Sequence, residues 1–162
     1  MEHFDSPALR RLLERFPSAV KATHAACGDA TAQVDAASLF EIMRFLRDEP
    51  GLDFEMLSDV TAVDWLGEEP RFELVYHLYS VARNHRVRIK ARVGEAEAEI
   101  ASLVPLWPSA DWMEREVWDL YGVRFTGHPD LRRLLLYEEF QGHPLRKDYP
   151  KERRQPLVGP RN

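Results

Sequence analysis

Phe72-Glu73-Leu74-Val75-Tyr76-His77-Leu78-Tyr79 and, after a short polar break, His85-Arg86-Val87-Arg88-Ile89-Lys90-Ala91-Arg92-Val93 decide the fold class. The second stretch alternates strictly. Val87, Ile89, Ala91 and Val93 point one way, and Arg86, Arg88, Lys90 and Arg92 point the other, the period of two that a half-buried strand requires. In the first, Phe72, Leu74, Tyr76 and Leu78 alternate with Glu73, Val75, His77 and Tyr79. Ser80 to Asn84 is short enough to join the two as an antiparallel hairpin. The row of four basic side chains has two readings. It is either the solvated face of a half-buried sheet or a docking strip for an acidic partner surface.

Upstream of the hairpin, Met56 to Trp65 reads as a third strand, interrupted by Asp59 and Asp64. Val20 to Ala26 and Thr31 to Val34 flank the turn signal Cys27-Gly28-Asp29 and read as another hairpin. Ser6-Pro7 is a helix start, with Ser as cap and Pro where a missing N–H costs nothing. Leu9, Leu12, Leu13 and Phe16 follow at helical spacing until Pro17. Asp35 caps a second helix with Leu39, Ile42, Met43 and Leu46 on one face, stopped by Pro50-Gly51. Downstream, Asp111-Trp112-Met113-Glu114 reads as a capping box with Asp in place of Ser or Thr. The helix it opens runs to about Tyr121 and closes on Gly122.

The expectation is therefore an α+β fold: two helices packed on a mixed or antiparallel sheet of about five strands, followed by a helix and an extended C-terminal tail. Residues 1–142 form one domain, with a distinctive helix and loops from 111. Residues 143–162, rich in Pro and Arg, form a tail that docks on a partner and has no core of its own.

The composition fits one globular domain. The chain has 162 residues, 44% hydrophobic and 30% charged, enough to bury roughly 70% of its unfolded surface. No apolar run approaches the ~20 residues that span a bilayer. Met1-Glu2-His3-Phe4-Asp5 lacks the basic and apolar regions of a secretion signal, which predicts a water-soluble, cytoplasmic chain. The net charge is −5, against the basic footprint of a nucleic-acid binder. It is uneven: residues 1–112 carry a net −7, and residues 113–162 a net +2.

Candidate chemistry is thin. Cys27 is the single cysteine, so no internal disulfide and no four-thiolate iron–sulfur cluster is possible. There is no Gly-x-Gly-x-x-Gly and no Walker-type loop. His128 and His143 sit in matching Gly-His-Pro triplets; two ligands without a thiol or carboxylate at a fitting offset make a poor metal site. A turn histidine bonding backbone is the better account. Glu114, Glu116 and Asp119 on one helix could serve as acid and base. Arg115, Arg124, Arg132, Arg133 and Arg146 around them should keep carboxylates ionised, so forked pairs bracing loops to the helix are expected instead. Trp107, Trp112 and Trp118 read as core or as interface residues.

The block from Glu114 to Pro150 carries a resemblance. Glu114-Arg115-Glu116, Asp119-Leu120-Tyr121-Gly122-Val123, Phe125, Gly127-His128-Pro129-Asp130-Leu131-Arg132-Arg133, Leu135 and Gly142-His143-Pro144-Leu145-Arg146-Lys147-Asp148-Tyr149-Pro150 together closely resemble the C subunit of bacterial NADH:quinone oxidoreductase, respiratory complex I. Trp107-Pro108-Ser109-Ala110-Asp111-Trp112 fits the same family. Phe140 stands where relatives often have Trp, and the chain stops soon after Pro150, as in the unfused form.

The resemblance implies a cofactor-free scaffold with no catalytic, cofactor-binding or metal-ligating residues. It implies a place on the large quinone-site subunit (the D subunit) and beside iron–sulfur subunits, peripheral to the cytoplasmic side of the cell (inner) membrane. The partners would carry FMN and Fe–S clusters and bind quinone, coupling electron transfer from NADH to proton translocation. The equivalent component of a ferredoxin-, F420- or hydrogen-linked complex is the alternative. Outside this class stand a hydrolase using Glu114, Glu116 or His128, and an RNA-binding module using Lys147 to Arg154.

Overall fold

The computed structural model describes residues 6–156. The reading of Met1–Asp5 and the end of the tail, residues 157–162, lie outside the described residues.

The hairpin of alternating residues is the centre of the sheet. Strands β4 (Phe72–Ser80) and β5 (His85–Val93) pair antiparallel from Phe72↔Val93 to Ser80↔His85. Strand β3 (Met56–Asp64) lies antiparallel on the far side of β4, with a register shift between Leu57 and Asp59. A bulge of this kind takes up an extra residue and lets Asp59 sit in a strand. The first hairpin, β1 (Val20–His24) and β2 (Thr31–Val34), joins through β2, which runs parallel to β5. The result is a mixed five-stranded sheet in the order β1-β2-β5-β4-β3.

One face of this sheet is core. Val87, Ile89 and Ala91 from β5 and Phe72, Leu74, Tyr76 and Leu78 from β4 are buried, with Leu57, Val60 and Ala62 from β3. Helix α1 (Pro7–Arg15) supplies Ala8, Leu9 and Leu12, and helix α2 (Leu39–Asp48) supplies Leu39, Ile42, Met43 and Leu46, all part of the same cluster. Ser6 caps α1 as expected, its Oγ accepting from the Leu9 N–H. Asp35 does not cap α2. A short 3-10 turn (Ala36–Ser38) intervenes, and the Asp35 carboxylate pairs with Lys21 at 3.2 Å.

The opposite face carries the four basic residues, and three of them have acidic partners. Arg88 reaches Asp29 at 3.0 Å, Lys90 reaches Glu73 at 2.9 Å, and Arg92 reaches Glu68 at 3.0 Å. Arg86 lies over the Tyr79 ring. Three intrachain ion pairs along this row are what the first of the two readings, a solvated sheet face, expects.

The last third adds a small unit that periodicity did not show. Helix α3 (Ala110–Tyr121) connects two three-residue strands, β6 (Glu99–Ala101) and β7 (Arg124–Thr126), which pair parallel. A parallel pair needs a crossover, and α3 supplies it. The helix packs against β3. Beyond β7 the backbone to residue 156 is turns and coil. Among the described residues, no helix is long and apolar enough to cross a membrane.

Candidate functional site

Helix α3 is clasped from two sides. Ala110, Glu114 and Val117 recur at helical spacing and are buried, the stripe that faces the body. Arg115 and Asp119, also buried, reach the coil that follows β7. Gly122 ends the helix at φ +78°, a left-handed conformation that glycine adopts without penalty. It is also a point of close approach. A Cβ there would lie 2.5 Å from the His143 ring and 2.9 Å from the Arg146 guanidinium.

Asp119 organises the coil. Its Oδ2 accepts the backbone N–H groups of Leu134, Leu135 and Leu136 at 3.1, 2.9 and 2.9 Å, while Oδ1 accepts from Arg133 Nη1 at 2.7 Å. Burial alone would raise this carboxyl; the four donors outweigh it and hold it below the usual carboxylate range. Arg133 goes on to donate to the carbonyls of Phe140 and Gly142 and lies over the Trp118 and Phe140 rings. Arg115 donates to the carbonyls of Arg132 and Arg133. The expected forked pair is here a single bond plus a set of backbone contacts.

The Gly-His-Pro loops are bonded to the same helix. His128 Nδ1 accepts the Asp130 N–H, so its Nε2 carries the proton and donates to the Asp111 carbonyl at 3.2 Å. His143 Nδ1 donates to the Asp119 carbonyl at 2.9 Å, and burial holds that imidazole below its ordinary pKa. The two rings serve backbone at different places along α3. Arg132 pairs with Asp130 at 2.8 Å, and Arg146 Nε donates to the Tyr121 carbonyl at the helix end. Phe125 is buried in β7; Gly127, Pro129 and Pro150 are exposed. Tyr149 stacks on Phe140. Glu116 is exposed and contributes nothing to this bracing.

A second carboxylate centre, which the sequence did not reveal, lies at the end of β3. Asp64 and Arg71, 3% and 2% exposed, form a true fork: Nε to Oδ1 and Nη2 to Oδ2, each 2.8 Å. The same guanidinium takes Asp148 at 2.8 and 3.1 Å and Glu95 at 2.8 Å. Asp64 Oδ2 also accepts the Lys147 N–H at 2.8 Å. The Arg71 bonds hold the Asp64 and Asp148 carboxyls below their ordinary range and push the guanidinium higher still. The expected boundary at 142/143 thus crosses continuous bracing. His143, Leu145, Arg146, Lys147 and Asp148 are all tied to the body, Leu145 through its N–H to the Leu120 carbonyl.

Glu114 corrects two expectations. It is not the last residue of a capping box. The N-cap is Ser109, which makes no side-chain cap, and Asp111 lies inside the helix. Nor is Glu114 held ionised by arginine. It is fully buried, and its carboxyl accepts from Leu103 N at 2.7 Å and meets Ser102 Oγ at 2.6 Å. Burial pushes its pKa up to about 7, against the lowering effect of those two bonds. The Tyr76 hydroxyl, buried without a hydrogen-bond partner among the described residues, is raised by its own burial and by the Glu114 charge. The three tryptophans part company: Trp107 is core, Trp118 half-buried and Trp112 exposed.

The comparisons agree with this architecture. The family described as respiratory-chain NADH dehydrogenase, 30 Kd subunit, matches residues 32–155. The NADH-quinone oxidoreductase C 2 subunit of Rhizobium etli is 46% identical over 146 residues, covering 89% of this chain and 78% of the relative. The C subunit of Citrifermentans bemidjiense is 46% identical over 143 residues, 88% of each chain. The C subunit of Rhodopseudomonas palustris is 54% identical over 123 residues, covering 76% of this chain and 60% of the relative. Among solved structures, the trypsin-resistant fragment (1–134) of Nqo5 superposes with a TM-score of 0.67 at 29% identity, covering 76% of this chain and 99% of that one. The chain belongs to the 30 kDa subunit family of respiratory-chain NADH dehydrogenase, the C-subunit family of complex I.

Proposed function

We propose that the chain is a non-catalytic, cofactor-free scaffold within NADH:quinone oxidoreductase, seated on the large quinone-site subunit (the D subunit) and beside the iron–sulfur subunits. The partners carry FMN and Fe–S centres and bind quinone, passing electrons from NADH to quinone with coupled proton translocation. This chain supplies position. It sits peripherally on the cytoplasmic side of the cell membrane through those partners.

One observation carries the reading. A long irregular segment with little regular secondary structure is fixed residue by residue onto α3 and β3 through Asp119, Arg133 and Arg71. Rigid, irregular surface suits a fitted contact, because little ordering entropy remains to be lost on docking. Three of the polar candidates are committed to the chain itself: both Gly-His-Pro imidazoles bond backbone, and Asp119 is saturated with donors. The names of the relatives support the NADH-linked enzyme over the ferredoxin-, F420- or hydrogen-linked alternatives.

The test is affinity purification of the tagged chain from membranes in mild detergent, with the bound subunits identified by mass spectrometry. Subunits of an NADH:quinone oxidoreductase should come with it, and the purified chain alone should turn over no substrate. A chain recovered free of companions, or one active alone, overturns the proposal.

A further inference from the structure

Resting on that reading, we infer that Trp112, Glu116 and Leu135 form the anchor of the docking surface. Their occupant is a pocket on a neighbouring subunit, apolar in its walls and carrying a lysine or arginine at its rim. The two clasped sides of α3 leave one strip free. Trp112 is 64% exposed, and Glu116, one turn on, is exposed. Leu135, 61% exposed, is pinned beside the next turn by its N–H bond to Asp119. Along the helix axis the strip runs roughly 10 Å from Trp112 to Asp119.

Trp112 and the Leu135 backbone are held before any partner arrives. The Trp112 indole lies over the Arg115 guanidinium, 5.4 Å from ring centre to carbon. That guanidinium is buried and fixed by the Arg132 and Arg133 carbonyls. The ring therefore has one face backed by a fixed cation and surface left open to solvent. A pre-set aromatic of this size is the side-chain type that concentrates binding energy in interfaces. Charge selects the occupant. The exposed basic neighbour Arg132 is met by Asp130, and Asp111 lies within 4.0 Å of Arg115. Glu116 has no ion pair among the described residues, so the strip presents one unmet negative charge between two apolar groups. A cation framed by aliphatic groups complements it; an acidic surface does not.

The experiment is competitive assembly in cells expressing tagged and untagged chains together, reading how much tagged chain enters the full-size complex. Trp112→Ser should lower incorporation at least tenfold and Glu116→Lys should lower it comparably. Leu13→Ser, at an exposed position on α1, should incorporate like wild type. Both variants should keep the wild-type thermal midpoint as purified chains; if Trp112→Ser does not, Glu116→Lys carries the test. Normal incorporation of Glu116→Lys and of a folded Trp112→Ser overturns the inference while leaving the scaffold reading standing. A wild-type chain that fails to incorporate overturns both. A purified chain that dimerises through Trp112 would name a second copy as the occupant and also overturn it.

Discussion

Glu114→Gln is the most informative single change, because it separates burial from charge at one atom. The wild-type carboxyl has a folded-state pKa of about 7 against 4.5 when exposed. A raised acid pKa means that the fold prefers the neutral form. The stability this group contributes is complete below about pH 4.5, is lost as pH rises to about 7, and is flat above. At 1.36 kcal/mol per unit of pKa difference, the loss across that window is about 3 kcal/mol. Glutamine keeps the shape: its Oε1 can accept the Leu103 N–H and its Nε2 can meet Ser102 Oγ. The variant should therefore match wild type to within about 1 kcal/mol at pH 5 and exceed it by about 2–3 kcal/mol at pH 8. Urea unfolding of both chains between pH 5 and 8 measures this. His77 and His143, whose pKa values burial lowers, act with the opposite sign below pH 6.5, and they cancel in the difference between the two proteins. A stability difference that does not change with pH would refute the reasoning.

Arg71→Ala should cost about 3–5 kcal/mol, since it strands a buried carboxylate, and should open residues 143–149 to limited proteolysis before global unfolding. Gly122→Ala should lose about 1 kcal/mol for the left-handed backbone, with further loss as His143 and Arg146 are pushed aside; differential scanning calorimetry reads the drop. Arg88→Ala should change stability by less than about 1 kcal/mol, as an exposed pair does, and leave assembly intact by native gel; a failure to assemble would revive the docking-strip reading of the basic row.

The central sheet was legible because its residues alternate over nine positions, and α2 because four apolar residues share a face. Gly122 was legible as a cap because few residues other than glycine sit well at that backbone angle. Strands β6 and β7 were not legible. Each is three residues long, their pairing is parallel, and α3 stands between them in the chain. Arg71 and Asp64 carried no local signal either, since they pair across a turn between two strands and are completed by Asp148 on Arg71 and the Lys147 N–H on Asp64, far along the sequence. Asp64 registered only as a flaw in a strand. Glu114 does carry a signal in the sequence: with Ala110 and Val117 it falls on the apolar stripe of α3, where a carboxylate has to be buried. The Gly-His-Pro loops were legible as turn histidines bonding backbone, because proline and glycine fix the chain around them.

Hydrogen–deuterium exchange, comparing the purified chain with the chain inside the native membrane assembly, tests the central claim most directly. Added protection should concentrate on the peptides containing Trp112 and Glu116 and on residues 130–149, while the sheet face bearing Arg86, Arg88, Lys90 and Arg92 exchanges as before. Protection confined to that sheet face, or no companion protein to compare against, would contradict the claim that the C-terminal block is a seam between subunits.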